Sequence, residues 1–320
     1  MARNSRRAFV VAAMAAGVAC VAGSLPSAAR DRIVIGLSQP NLGWPYIAAY
    51  TRAFQAAAAR HANVSVVVTS ADGDIAKQSR DMDSLISRKV DVILVCSLDG
   101  NAIFPSVRAA KDAGIPVLAI SNEPAGAAAA LIAGYAGPDD RLQGELAAEL
   151  MHDALGGKGN IVVIEGTPGQ STTLARRKGF EERLKTLGSA IKVIARQSAN
   201  WDPVKAKAIM EDFLTAHGNR INGLFSQDDN TAAAAAETVK AAGKLSSIKI
   251  VGTGGSKNGI AAIRSGLVHG TVDQSPTADS ELGLALALDL ANGKAPANKR
   301  NIIPMPKITA ANVGQFQGEW

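Results

Sequence analysis

The sequence predicts an α/β fold in which two lobes are each built on a parallel sheet, and three observations carry that prediction. Short β-branched runs recur without polar alternation, as strands buried on both faces require. Stretches with apolar residues at helical spacing separate them. The composition, 47% hydrophobic but only 4% aromatic, suits Ala-faced helices and thin strands rather than an aromatic-rich all-β protein.

In order, the runs are Ile33–Leu37, Val64–Val68, Val90–Val95, Ile115–Ile120, Asn160–Ile164, Ile191–Ile194, Gly223–Phe225 and Ile248–Val251. The amphipathic stretches include Ile47–Ala62, Ile75–Arg88, Arg141–Leu155 and Thr231–Ala242. Eight strands in this span exceed one doubly wound sheet, so two sheets are expected. Gly114, Gly188 and Gly243 each follow a helical segment, where a left-handed glycine closes the last turn. Pro116 and Pro203 stand at element starts, and the alanine-rich Ala125–Ala130 reads as a surface connection. Beyond Val251 strict alternation breaks down. Gly270–Gln274 reads as a strand, Ala278–Asn292 as a helix and Asn301–Ile303 as another strand.

The first 29 residues read as an export signal. Arg3, Arg6 and Arg7 precede the uncharged apolar run Ala8–Gly23, and Ser27-Ala28-Ala29 offers a small-x-small cleavage site near Ala29. The run is short for a bilayer span. Ser5-Arg6-Arg7-Ala8-Phe9 resembles a twin-arginine motif, leaving open that route or the general one. Val18-Ala19-Cys20 has part of a lipoprotein box, with Gly17 where a branched residue belongs. This segment holds three arginines and no acid, so the rest of the chain carries +3 of the formal +6. No basic cluster interleaved with aromatics remains, which argues against nucleic acid. Cys96, at the end of an apolar run, is then the one cysteine left, expected as a buried thiol.

Catalytic motifs are missing. There is no His-Glu-x-x-His, Gly-x-Ser-x-Gly or Cys-x-x-Cys, and Gly157-Lys158-Gly159 lacks the Ser/Thr and spacing of a phosphate loop. Gly252-Thr253-Gly254-Gly255 lacks the third glycine and the acidic partner of a dinucleotide loop. His61, His152, His217 and His269 are scattered. No enzyme activity, metal or cofactor is expected. A hydrolase would require Asp228 or Asp74 to be catalytic.

From Ile33 to about Lys307 the chain resembles the ribose-binding-protein-like, or type I periplasmic binding protein, family. The resemblance rests on Ile33–Ser38 followed by Asn41 and Trp44-Pro45-Tyr46, on Asp83–Leu94, and on Lys111-Asp112-Ala113-Gly114-Ile115-Pro116-Val117. It continues with Arg177-Lys178-Gly179-Phe180, Trp201-Asp202, Gln227-Asp228-Asp229-Asn230 and Gln274-Ser275-Pro276. The family implies two Rossmann-like lobes joined by a three-crossing hinge, here near Gly137, Gln274–Ser275 and Ile303–Pro304. The N-terminal lobe would be 30–136 plus 275–302, and the C-terminal lobe 137–274 plus 303–320. A repressor of the same core would need a helix-turn-helix where this chain has an export signal.

The resemblance also implies a ligand site in the cleft beyond the carboxyl ends of the strands. A sugar needs aromatic plates for its C–H faces and polar side chains for its hydroxyls. The implied residues are Asn41, Trp44, Tyr46, Asp74, Ser121, Asn122, Trp201, Asp228 and Gln274. Simpler readings stand beside these: the rings cover core edges, Asp74 is a turn residue, Asp229 caps the following helix and Asp99 is an N-cap. Three positions depart from sugar-binding relatives. Ser121-Asn122 replaces an Asp-Arg pair, Leu174 falls where a contacting arginine belongs, and Thr253-Gly254 replaces Phe-Asp. Each charged hydrogen bond so lost is worth roughly 1.5–3 kcal/mol, so a ligand with fewer hydroxyls is expected. The implied function is monomeric capture of a small neutral sugar or polyol for an ABC permease, with a chemoreceptor as a further reader left open. The alternative is a non-sugar solute such as a nucleoside, aromatic acid or signalling molecule.

Overall fold

A computed structural model describes residues 32–320. The signal-like segment, its cleavage site, the paired arginines and Cys20 lie outside the described residues.

Near-continuous apolar runs need cover on both faces, and the structure supplies it with two six-stranded sheets. The first takes β1 (Ile33–Gln39), β2 (Val64–Ser70), β3 (Val92–Val95), β4 (Val117–Ile120), β5 (Gly134–Gly137) and β11 (Arg300–Ile302). Their order is β11-β5-β4-β3-β1-β2, all parallel. The helices α1 (Pro45–Ala58), α2 (Ile75–Ser87), α3 (Phe104–Asp112) and α4 (Gly126–Leu131) follow β1 to β4. The second sheet takes β6 (Lys158–Glu165), β7 (Ala190–Ser198), β8 (Gly223–Ser226), β9 (Lys249–Val251), β10 (Gly270–Val272) and β12 (Lys307–Thr309). Its order is β12-β10-β9-β8-β6-β7, parallel except for β12. Around it lie α5 (Asp140–Leu155), α6 (Ser171–Thr186), α7 (Pro203–His217), α8 (Asp229–Ala241) and α9 (Lys257–Arg264).

The chain passes between the sheets three times: after β5, between β10 and α10 (Pro276–Ala291), and between β11 and β12. Leu284, Ala287 and Ala291 of α10 join Ile35, Tyr50 and Phe54 in the core of the first sheet, so the segment after Val272 returns to the first lobe.

Local chemistry sets the element ends. Asp74, Asp139, Asp202, Asp228, Ser256 and Ser275 each accept a backbone N–H at a helix start. Pro45, Pro203 and Pro276 open their helices. Gly114, Gly188 and Gly243 have φ of +75°, +62° and +69°, the left-handed exits expected of them. Cys96 is fully buried and free, and burial pushes its thiol up.

Three expectations need correction. Ala125–Ala130 is not a surface connection; Gly126–Leu131 forms α4, because five small or apolar residues in a row coil readily. Asp228, not Asp229, caps α8: Asp228 Oδ1 accepts from Thr231 N at 2.9 Å. The Asp229 carboxylate instead ties Thr271 Oγ1 at 2.6 Å to Ser256 N at 3.0 Å. Burial pushes it up to about 7. Asp99 likewise accepts from Asn101 N and Ala102 N in the turn ahead of α3, whose N-cap is Ile103.

One close packing bears on the site. Gly144 of α5 and Gly179 of α6 each sit where a Cβ would overlap backbone of the other helix, at Arg176 and Arg141 respectively. The two helices therefore touch backbone to backbone, which presses the first turns of α5 and α6 together beside the crossings.

Candidate ligand-binding cleft

The loops after the strands of both sheets meet around one cavity of about 590 Å³, counting the space it shares with solvent. That lies within the usual range for small-molecule sites. Seven of the nine implied residues line it: Trp44, Tyr46, Ser121, Asn122, Trp201, Asp228 and Gln274. Gln170, Thr172, Arg176, Thr253 and Trp320 complete the polar and aromatic lining.

Trp44 and Tyr46 come from the loop and first turn after β1, where Pro45 opens α1. Tyr46 donates its hydroxyl to Asp279 Oδ2 at 2.7 Å. Ser121 donates to the same oxygen at 2.7 Å. Ser121 has a left-handed φ of +53° at the end of β4, a conformation costly for a residue with a Cβ and held by Ser121 N on Ala136 O and Tyr135 on Ser121 O. Burial pushes Asp279 up to about 7, against the pull of those two hydroxyls. The Tyr46 hydroxyl is held well above its ordinary value, first by burial and then by the Asp279 charge.

Trp201 comes from the turn between β7 and α7. Asn200 and Trp201 are both left-handed, with φ of +52° and +64°. The turn is fastened by Ala199 N on Glu165 O and Asp202 N on Ala199 O, and it swings the indole into the cleft. Its Nε1 donates to Gln170 Oε1 at 2.8 Å, and the Arg176 guanidinium lies 6.0 Å from its ring centroid.

Arg176 is the best-connected side chain of the site. It is 5% exposed, on the α6 face that Gly144 and Gly179 bring against α5. Nε donates to Asp140 Oδ1 at 3.1 Å, Nη1 to Gln227 O at 2.6 Å and Thr253 Oγ1 at 3.3 Å, and Nη2 to Gln274 Oε1 at 2.8 Å. Burial raises Asp140 while Arg176 and Thr172 pull it down, and burial comes first. The Thr172 hydroxyl lies 2.9 Å from Asp140 Oδ2 and 2.6 Å from Asn122 Oδ1, so the two walls of the cleft touch there. Asp228, half-buried at the head of α8, is pushed up to about 6 by its removal from water, against its backbone donors and Arg176.

Asn41 and Asp74 are not among the lining residues, and their own loops explain why. Asn41 Oδ1 accepts from Gly43 N at 2.8 Å, folding the side chain onto the turn that feeds α1. Asp74 is exposed and caps α2 through Lys77 N at 2.9 Å, which holds it below the usual carboxylate range. Leu174 does not stand in for a contacting arginine either. It is 48% exposed, and Arg176, two residues on, faces the cleft. The expectation that both guanidinium groups are missing is thus overturned for one of them. Arg176 lies between Leu174 and the Arg177–Phe180 motif, and sequence reasoning did not single it out. Trp320 carries no local signal at all.

Comparisons with known proteins give the family and the fold. A family model described as "Periplasmic binding protein domain" matches residues 35–295. The chain is 36% identical over 255 residues to a xylitol-binding protein of Mycolicibacterium smegmatis, covering 78% of this chain and 70% of that one. It is 30% identical over 266 residues to the ribose import binding protein of Bacillus subtilis, covering 83% and 84%. Among solved structures, an ABC transporter solute-binding protein of Mycobacterium smegmatis with bound glycerol has a TM-score of 0.82 at 26% identity, covering 89% of this chain and 96% of that one. One of Bacillus halodurans with bound myo-inositol reaches a TM-score of 0.84 at 24% identity, covering 90% and 98%, and shares the fold. The chain belongs to the periplasmic binding protein family, whose members are solute-binding proteins rather than enzymes.

Proposed function

We propose that this chain captures a small polyol or single sugar unit in the cleft and presents it to an ABC permease. It acts as a monomer in the periplasm, after export and loss of residues 1–29. Residues 30–136 with 275–302 form one lobe and 137–274 with 303–320 the other. The lobes close by hinge motion at the three crossings. One observation carries the reading: a pinned guanidinium and a carboxylate, Arg176 and Asp228, sit among four aromatic rings in one cavity. Hydroxyls of a neutral ligand satisfy the polar groups while its C–H faces lie on the rings. A wrong ligand leaves Asp228 short of donors, which is the source of discrimination. The relatives named for xylitol and ribose, and the structure holding glycerol, support the same class of ligand.

The test is a thermal-shift panel of polyols, pentoses, hexoses, nucleosides and aromatic acids, followed by calorimetry on whatever binds. A ligand at a hundredfold excess over its Kd adds about 2.7 kcal/mol of stability. A shift with a polyol or monosaccharide is expected. A shift confined to nucleosides or aromatic acids overturns the ligand class and keeps the capture role.

A further inference from the structure

The cleft has a wall that the sheets and the loops after their strands do not provide. Beyond β12 the chain turns back across the mouth of the cavity. Arg264 Nη2 donates to Phe316 O at 2.8 Å, and Lys257 N donates to Trp320 O at 2.8 Å. Gly318 lies so close to the backbone of Lys257 that any Cβ there would overlap it. Segment 316–320 is thus strapped to α9. Glu319 then reaches across the second crossing to α10. Its Oε1 accepts from Ser275 Oγ at 2.7 Å and its Oε2 from Thr277 N at 3.1 Å, where the unpaired N–H groups of a helix start favour a carboxylate.

Trp320 turns inward from this strap. Its Nε1 donates to Gly254 O at 3.1 Å. Its ring meets Tyr46 edge to face, with centroids 5.4 Å apart and planes at 84°. Gly254 has a φ of +133°, and a Cβ there would come within 2.5 Å of the indole Cζ2. The strand-end loop of the second sheet is therefore shaped to receive an indole. One ring touches a second-lobe loop and a first-lobe aromatic, and it lines the cavity between them.

We propose that Trp320 is a specificity-determining residue that limits the ligand to one sugar unit, and that Glu319 is the residue positioning it. This rests on the reading of the cleft as a polyol or sugar site. An apolar plate on that side favours a C–H face and leaves no room for a substituent or second ring. The Tyr46 hydroxyl is committed to Asp279, so the Tyr46 ring cannot swing aside to make room.

The test titrates the full-length protein with xylitol, ribose, myo-inositol, a methyl riboside and a disaccharide. Trp320→Ala is expected to weaken the monosaccharide-sized ligand by on the order of tenfold. It should also shrink that ligand's advantage over the methyl riboside or disaccharide by a similar factor. Trp320→Phe should keep most of the discrimination. Glu319→Ala should shrink it partway, and Glu319→Gln, which keeps an acceptor, should restore it. Equal weakening toward every ligand, or an unchanged ratio, overturns the proposal.

A second readout needs no ligand. The chain has three tryptophans, so replacing Trp44 and Trp201 with Phe leaves Trp320 as the only one. Its fluorescence should resist acrylamide and lose that resistance in the added Glu319→Ala variant; quenching as free as that of N-acetyltryptophanamide overturns the wall. A shielded Trp320 together with no response to any polyol or sugar supports the wall and sinks the ligand class instead.

Discussion

Across the cleft, the wall on the first sheet presents rings and neutral groups, Trp44, Tyr46, Ser121 and Asn122, while the wall on the second presents Arg176 and Asp228. The first wall does have a carboxylate close by, but Asp279 stands behind it, with Oδ2 taken by the Tyr46 and Ser121 hydroxyls. On the second wall, Arg176 is fixed by acceptors on α5 and after β8, β9 and β10. The difference assigns separate tasks. The second lobe holds a preset hydrogen-bond pattern that need not rearrange on binding. The wall on the first sheet faces that pattern with the Trp44 and Tyr46 rings.

The sharpest way to break this comparison is to remove the guanidinium. Arg176→Met leaves Asp140 buried without its partner and should cost about 3–5 kcal/mol in urea unfolding, along with ligand binding. Because an unpaired Asp140 can take up a proton, the loss should be smaller at pH 5 than at pH 8.

Next in size is Asp228→Asn, expected to weaken binding by roughly 1.5–3 kcal/mol by calorimetry. The native protein should lose affinity as pH falls through about 6, where Asp228 protonates, and the variant should lose that pH dependence. Asn122→Ala on the opposite, neutral wall should cost less, on the order of 1 kcal/mol.

A pH effect separates the hidden carboxylates from the exposed ones. Asp229 and Asp279 stand near 7 when folded against 3.8 unfolded, so the folded state binds more protons between those values. Stability of the ligand-free protein should therefore fall as pH rises from about 4 to about 7 and then level off. Melting temperatures at pH 5 and 7.5 check the sign, and Asp279→Asn should flatten the slope. Exposed Asp74 has its pKa lowered and works the other way, losing its contribution as pH drops into the acid range. The smallest expected change is Asp74→Ala: a slight loss of stability for the lost cap and no change in affinity.

The fold was legible because its signals are local and repeated. Runs such as Val92–Val95 and Val117–Ile120 become fully buried strands, and helix starts at Pro45, Pro203 and Pro276 follow from single residues. The elements that escaped have no such signature. β5 is Gly-Tyr-Ala-Gly, and β12 is a three-residue antiparallel edge strand fixed only by its partner β10. In the site, Trp44, Tyr46, Trp201 and Gln274 lie next to strand ends and could be placed from the motifs. Arg176 lies mid-helix, where two residues of misplacement rotate a side chain by about 200° and exchange an exposed position for a buried one. Asn41 and Asp74 carry suitable functional groups, but turn and cap bonds a few residues away consume them. Trp320 reaches the cavity through contacts with Tyr46 and Gly254, both distant in sequence, and no window of sequence contains that information.

The three passages between the sheets also govern how the molecule comes apart. Neither half is one uninterrupted stretch of chain, since α10 and β11 complete the first sheet after β6 to β10 have built most of the second. A protease that nicks any one passage leaves the halves tied by the other two. A gene fragment ending at Gly137 lacks the helix that fills the first core and the strand that covers β5. Such a fragment should recover a native-like first half only when 276–302 is supplied alongside it, as a separate peptide or by circular permutation.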